Sequence, residues 1–143
     1  MNAIANLSPQ IVWKNFYDLT QIPRPSKFEL EAAKYICDFG KNLGLESFQD
    51  EVGNVIIRKP ATPGMEDRMG IILQAHIDMV PQKNNDVEHD FKKDPIKPRI
   101  VENMVYATGT TLGADNGLGC AVAMAVLEQN DLVHGPIEVL ITI

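Results

Sequence analysis

Two short apolar runs, Met69 to Ala75 and Ile137 to Ile143, bracket a segment from Asn116 to Gln129 that is apolar on nearly every side. A helix of that kind has to be buried. The flanking runs lack the alternation of a half-solvated strand and read as strands covered on both faces. Strand, helix and strand in that order predict a βαβ-like unit, right-handed if the strands are parallel. A hairpin (Arg99 to Val101 and Met104 to Ala107, turning at Glu102-Asn103) intervenes within it. The fold class that follows is α/β, with a mixed central sheet packed between helices.

Upstream, Ser8-Pro9 supplies an N-cap followed by proline at the first helical position. Val12, Phe16 and Leu19 then share a face until Ile22-Pro23. Pro23-Arg24-Pro25 has to be extended, because each proline fixes its own φ and biases its predecessor away from helix. Ser26-Lys27-Phe28-Glu29 has the form of a capping box. The helix predicted after it buries Phe28, Ala32, Tyr35, Ile36, Phe39 and Leu43, and Gly44 ends it in the left-handed conformation. Glu46 to Asp50 and Val55 to Lys59 form a hairpin around Val52-Gly53-Asn54. Gln82 to Pro98 is a long polar loop, either functional or a solvated connection. His89 within it reads as an exposed residue, and His134 as a turn residue before Pro136.

Composition excludes several function classes. The 143 residues carry a net charge of −6 and no basic cluster, which argues against a nucleic-acid partner. No stretch is long and apolar enough to span a bilayer. The first residues lack the basic start and apolar core of a signal peptide, so a cytoplasmic location is the expectation. Cys37 and Cys120 fall inside apolar helical patterns and read as small buried thiols.

Chemistry enters directly after the first apolar run, at His76 and Asp78. In extended backbone, residues two apart face the same side, so imidazole and carboxylate share one face just past the strand. A carboxylate that fixes one ring nitrogen leaves the other to ligate a metal. Such a short pattern also arises by accident. Asp115 narrows the choice, because it lies in the glycine-rich lead-in to the buried helix, Gly109-Thr-Thr-Leu-Gly-Ala-Asp-Asn-Gly-Leu-Gly. There the helix dipole and free amides would stabilise an ionised carboxylate, although an ordinary N-cap aspartate fits the same position. His76, Asp78 and Asp115 together offer one nitrogen ligand, one orienting carboxylate and one carboxylate able to bridge two ions. Nitrogen and oxygen ligands without thiolate suit zinc, manganese or cobalt. Other schemes fit worse: there is no Gly-x-Ser-x-Gly elbow, no dinucleotide fingerprint and no Walker lysine.

Three motifs, His76-Ile-Asp-Met-Val-Pro-Gln-Lys-Asn, Gly109-Thr-Thr-Leu-Gly-Ala-Asp-Asn-Gly and Ile22-Pro-Arg-Pro-Ser, resemble those of the aminoacyl-histidine dipeptidases. These are the cytosolic, broad-specificity dipeptidase branch of the di-zinc M20 metallopeptidases. The resemblance runs through the whole chain and implies the N-terminal part of a di-zinc exopeptidase catalytic domain. It implies His76 as a zinc ligand, Asp78 as the site carboxylate that orients it, and Asp115 as the bridge between two zinc ions. It also implies a non-proline cis peptide at Asp115–Asn116, and hydrolysis of dipeptides such as Xaa-His by a water activated between two zincs, with a glutamate as base.

The last residues, Val-Leu-Ile-Thr-Ile, stop in mid-strand. The expectation is a fragment, residues 1–143 of an incomplete catalytic domain, inactive alone. The adjacent glutamate pair, the later ligands and the lid domain used for homodimerisation would be absent. Two rival readings remain. An N-acyl-amino-acid deacylase would use the same scaffold on a different amide. A non-catalytic α/β binding domain would keep His76 and Asp115 as a satisfied histidine and a helix cap.

Overall fold

A computed structural model describes residues 3–143. After a 3-10 turn at Ala3–Asn6 come α1 (Gln10–Thr20), α2 (Leu30–Asn42), β1 (Glu46–Gln49), β2 (Val55–Lys59) and β3 (Ile71–His76). β4 (Pro98–Val101), β5 (Met104–Ala107), α3 (Ala114–Glu128) and β6 (Ile137–Thr142) complete the order. The main sheet runs β1-β2-β6-β3, with β6 antiparallel to β2 and parallel to β3. It is therefore mixed, and β3-α3-β6 is the expected βαβ-like unit. Both hairpins form where the turn residues place them. In the first, the Asn54 side-chain amide donates to Asp50 Oδ2 and the backbone amides of Val52, Gly53 and Asn54 donate to Oδ1, which together hold the Asp50 carboxyl below its usual range.

Cross-strand partners lie on one side of a sheet. By register, Val55, Ile57, Val139, Ile141 and Ala75 share a face, and all are buried. α2 meets this face through Gly40, where an added Cβ would lie 2.9 Å from Ile57. α3 meets it through Gly119, where one would lie 3.3 Å from the Ala75 methyl. α1 packs on α3, with Phe16 and Leu19 joining Met124 and Leu127 in one continuous core. Lys59 closes the far end of α3, its ammonium donating to the carbonyls of Val126, Leu127 and Gln129. Cys37 and Cys120 are buried free thiols, as expected.

Four expectations need correction. α1 begins one residue late, with Pro9 as its N-cap and no side-chain cap from Ser8. The capping box does not form: α2 starts at Leu30, the Glu29 carboxylate accepts from the Lys27 amide, and the Ser26 hydroxyl is engaged elsewhere. Phe28 consequently stays outside the helix and 49% exposed, under the Lys92 ammonium. β3 is an edge strand among the described residues, so Ile71 and Ile72 are exposed and only Ala75 is fully enclosed. His89 is half-buried rather than exposed, its ring 4.5 Å from that of Phe91. Gly44 does end α2 at φ 75°.

Candidate metal centre

The parallel β3–β6 pairing sets His76 opposite Thr142 at the carboxyl end of the sheet, where open α/β sheets place ligand sites. One residue on, the Ile77 amide donates to Thr142 O at 2.8 Å and its side chain is fully buried. That anchor turns His76 and Asp78 to one side, as their spacing predicts. His76 Nδ1 lies 2.9 Å from Asp78 Oδ1, and Nε2 lies 3.1 Å from Asp115 Oδ1. The three residues singled out in the sequence are thus brought together, with the imidazole between two carboxylates.

Asp115 reaches this position through an interrupted helix. Gly113 is left-handed at φ 72°, Asp115 and Asn116 have non-helical backbone angles, and the Asp115–Asn116 peptide is cis, as the resemblance implies. The regular helix starts beyond Asn116. Asp115 thus stands at the helix entry, as the sequence places it, and projects from the kink with its side chain 94% exposed. Its open carboxylate still has one oxygen free of His76.

Asp78 is held on its far side by the Ser26 hydroxyl. That hydrogen bond first, and then the His76 contact, keep the Asp78 carboxyl below its usual range. Ser26 is in reach because Pro23 to Ser26 runs beside the strand end. The Met79 amide donates to Arg24 O at 3.0 Å, the Ser26 amide donates to Met79 O at 3.3 Å, and Pro25 bridges Met79 in parallel. The capping-box pattern concealed this role. Arg24 went equally unassigned, although it is buried directly beneath the site.

The other two motifs are stitched together on the opposite side. The Thr111 hydroxyl donates to Val80 O at 2.6 Å, the Thr111 amide to Gln82 O at 2.8 Å, and the Asn84 amide to Gly109 O at 2.9 Å. The start of the long loop is therefore part of the site wall. His89 and His134 are not: His89 packs on Phe91, and His134 hydrogen-bonds the Gly135 carbonyl and the Thr62 hydroxyl.

The donor set can be tested against a metal ion. Ligands about 2.1 Å from a tetrahedral ion stand about 3.4 Å apart, and His76 Nε2 and Asp115 Oδ1 stand 3.1 Å apart. Nδ1 against Asp78 is the orienting contact such ligands use. The residues present fit. Among the described residues, no group of three or more His, Cys, Asp or Glu side chains is arranged to hold a metal.

The sequence model of Peptidase family M20/M25/M40 matches residues 72–143, the span that contains His76, Asp78 and Asp115. The chain is 55% identical over 142 residues to the cytosol non-specific dipeptidase of Escherichia coli (strain K12), covering 99% of this chain and 29% of that protein. It superposes with a TM-score of 0.96 and 54% identity on the crystal structure of aminoacylhistidine dipeptidase from Vibrio alginolyticus, covering 99% of this chain and 29% of that one. The aminopeptidase PepT of Bacillus cereus superposes with a TM-score of 0.75 at 27% identity, over 96% of this chain and 37% of that one. The chain thus spans under a third of the length of the two dipeptidases.

Proposed function

The chain belongs to peptidase family M20/M25/M40, and from that premise we propose that the full-length protein is a metal-dependent dipeptidase acting on Xaa-His and related dipeptides. His76 and Asp115 are its metal ligands, and zinc is the expected metal. The observation that carries the metal assignment is the double engagement of the His76 ring. A neutral imidazole has one N–H to give, yet both ring nitrogens face carboxylate oxygens, at 2.9 and 3.1 Å. With the proton on Nδ1 toward Asp78, the Nε2 lone pair points at Asp115, where a bound cation would take the place of a second ring proton. The uncommitted oxygen of exposed Asp115 is open to a second ion, which supports the bridging role.

When bound, the divalent ions supply Lewis acidity for amide hydrolysis. The chain's own residues do the positioning. Asp78 fixes the tautomer and plane of His76, Ser26 fixes Asp78, and the Thr111–Val80 and Thr111–Gln82 bonds hold the Asp115 lead-in against the strand end. One imidazole and one carboxylate are fewer ligands than a zinc centre takes. The other ligands and the general base are assigned to the part of the family's length that these residues do not span. Residues 1–143 alone are therefore inactive in this account. A cytoplasmic, homodimeric enzyme with neither nucleic acid nor membrane as partner accompanies the reading. The similarity to a cytosolic dipeptidase supports the location, and the homodimer rests on the family resemblance alone.

The test assays the full-length protein on β-alanyl-histidine and on N-acetyl amino acids, before and after chelation and zinc return. Dipeptide turnover that chelation abolishes and zinc restores is expected, with none from residues 1–143. Preferential turnover of N-acetyl amino acids would replace the dipeptidase by a deacylase, and turnover indifferent to chelation would remove the metal. In the same protein, Ser26→Ala should weaken zinc binding by less than the about 10–100-fold that loss of a ligand's direct partner costs, because Ser26 acts through Asp78. Competition against a chromogenic chelator measures it.

A further inference from the structure

We infer that Arg24 is a positioning residue: its buried guanidinium ties the backbone carrying His76 to the backbone carrying Asp115 and sets the spacing of the two metal ligands. The inference rests on the metal reading above. Arg24 is 1% exposed. Its Nη1 donates to the carbonyl of Ile77, the residue after His76, at 2.7 Å. Its Nη2 donates to the carbonyl of Gly113, two residues before Asp115, at 2.8 Å. One planar group therefore spans the two segments on which the ligands sit.

Packing alone does not account for this residue. Arg24 makes no ion pair among the described residues, and its Nε has no hydrogen-bond partner there. Asp78 acts on it only through space; a buried cation with no counter-ion in contact is costly, and an apolar side chain of similar volume would fill the space at lower cost. What an apolar side chain would not do is hold two carbonyls of separate loops at fixed distance. A rigid fork with donors on both arms does so, and the point charge of lysine does not.

The glycine-rich motif is shaped around the same group. A Cβ on Gly113 would come within 2.7 Å of Arg24 Nη2, and one on Gly117 within 2.5 Å of Nη2 and 3.1 Å of Cζ. Gly113 needs glycine in any case for its positive φ. Gly117 has no such need, and the guanidinium is its tightest neighbour. In phosphate-binding loops glycines admit a ligand; here they admit a side chain of the same protein. Pro23 and Pro25 hold the intervening Arg24 extended, and its own carbonyl accepts from Met79. The early Pro-Arg-Pro-Ser segment thus contributes twice, through Arg24 to ligand spacing and through Ser26 to Asp78.

Arg24→Lys and Gly117→Ala, made in the full-length protein beside His76→Ala, test this. Lysine keeps the charge but loses the fork. Alanine at 117 keeps Arg24, favours helix and displaces the guanidinium. Three quantities are measured: metal affinity by chelator competition, the visible spectrum of the cobalt-substituted protein, and the melting temperature of the metal-free protein. Both variants should bind metal about tenfold more weakly or worse, with an altered cobalt spectrum. Gly117→Ala should do so whether or not Arg24→Lys also lowers the melting temperature. Unchanged affinity and cobalt spectrum in Gly117→Ala and in any folded Arg24→Lys would overturn the inference, even if stability falls. If His76→Ala retains its metal, the metal reading itself fails; if it loses metal while the other two variants do not, only the role of Arg24 fails.

Discussion

Replacing His76 or Asp115 by alanine in the full-length protein should lower kcat/KM for dipeptides by about three orders of magnitude or more. Loss of metal-based charge stabilisation removes several kcal/mol from the transition state, and each 1.4 kcal/mol is about tenfold. Bound zinc should fall in parallel. The folded state should be nearly indifferent, because the His76 side chain is 38% exposed and that of Asp115 is 94% exposed, and neither joins the core cluster. Metal-free melting temperatures within a few degrees of the parent, together with lost zinc and lost turnover, are the expected pattern. Asp78→Ala should fall between, about 10–100-fold in metal affinity, because it acts through the His76 ring. Full zinc content in His76→Ala would leave the non-catalytic α/β domain as the better reading.

The second large effect is on stability. Phe16→Ala should cost about 3–5 kcal/mol, the range for truncating a buried aromatic side chain. Phe16 is 1% exposed, meets Trp13 edge-on at 6.1 Å, and joins α1 to the α3 core. Its ring edge also lies 3.3 Å from where a Gly117 Cβ would be, on the wall around the Arg24 guanidinium. Urea unfolding should show a lower midpoint at unchanged slope. A loss below about 1 kcal/mol would mean that α1 lies outside the cooperative core.

What could be read from the residues was governed by local rules. The Val52-Gly53-Asn54 turn fixed the first hairpin, and the all-round apolar pattern after Asn116 marked the buried helix. The period of two placed His76 beside Asp78. Gly44 signalled a left-handed helix end and adopts one. The cis peptide at Asp115 followed from the resemblance and from no local rule.

Two of the failures share a cause. Ser26 has the local form of a helix cap, but its hydroxyl meets a carboxylate 52 residues away. Arg24 was legible only as extended backbone between prolines, and its partners lie 53 and 89 residues away. Contacts at that separation leave no periodicity to detect. A polar residue pinned between two prolines, with a glycine run unexplained by any phosphate motif, was the available hint. The apolar run at β3 misled in another way: it reports an affinity for burial, and its outer residues Ile71 and Ile72 are solvent-facing among the described residues.

The proposed metal site places one ion between His76 and Asp115. Anomalous diffraction at the zinc edge, from crystals of the full-length protein, tests it most directly. The expected peak lies about 2.0–2.2 Å from both His76 Nε2 and an Asp115 oxygen, with Nδ1 still on Asp78. A zinc peak away from both residues, with the imidazole hydrogen-bonded directly to Asp115 in its place, would contradict it.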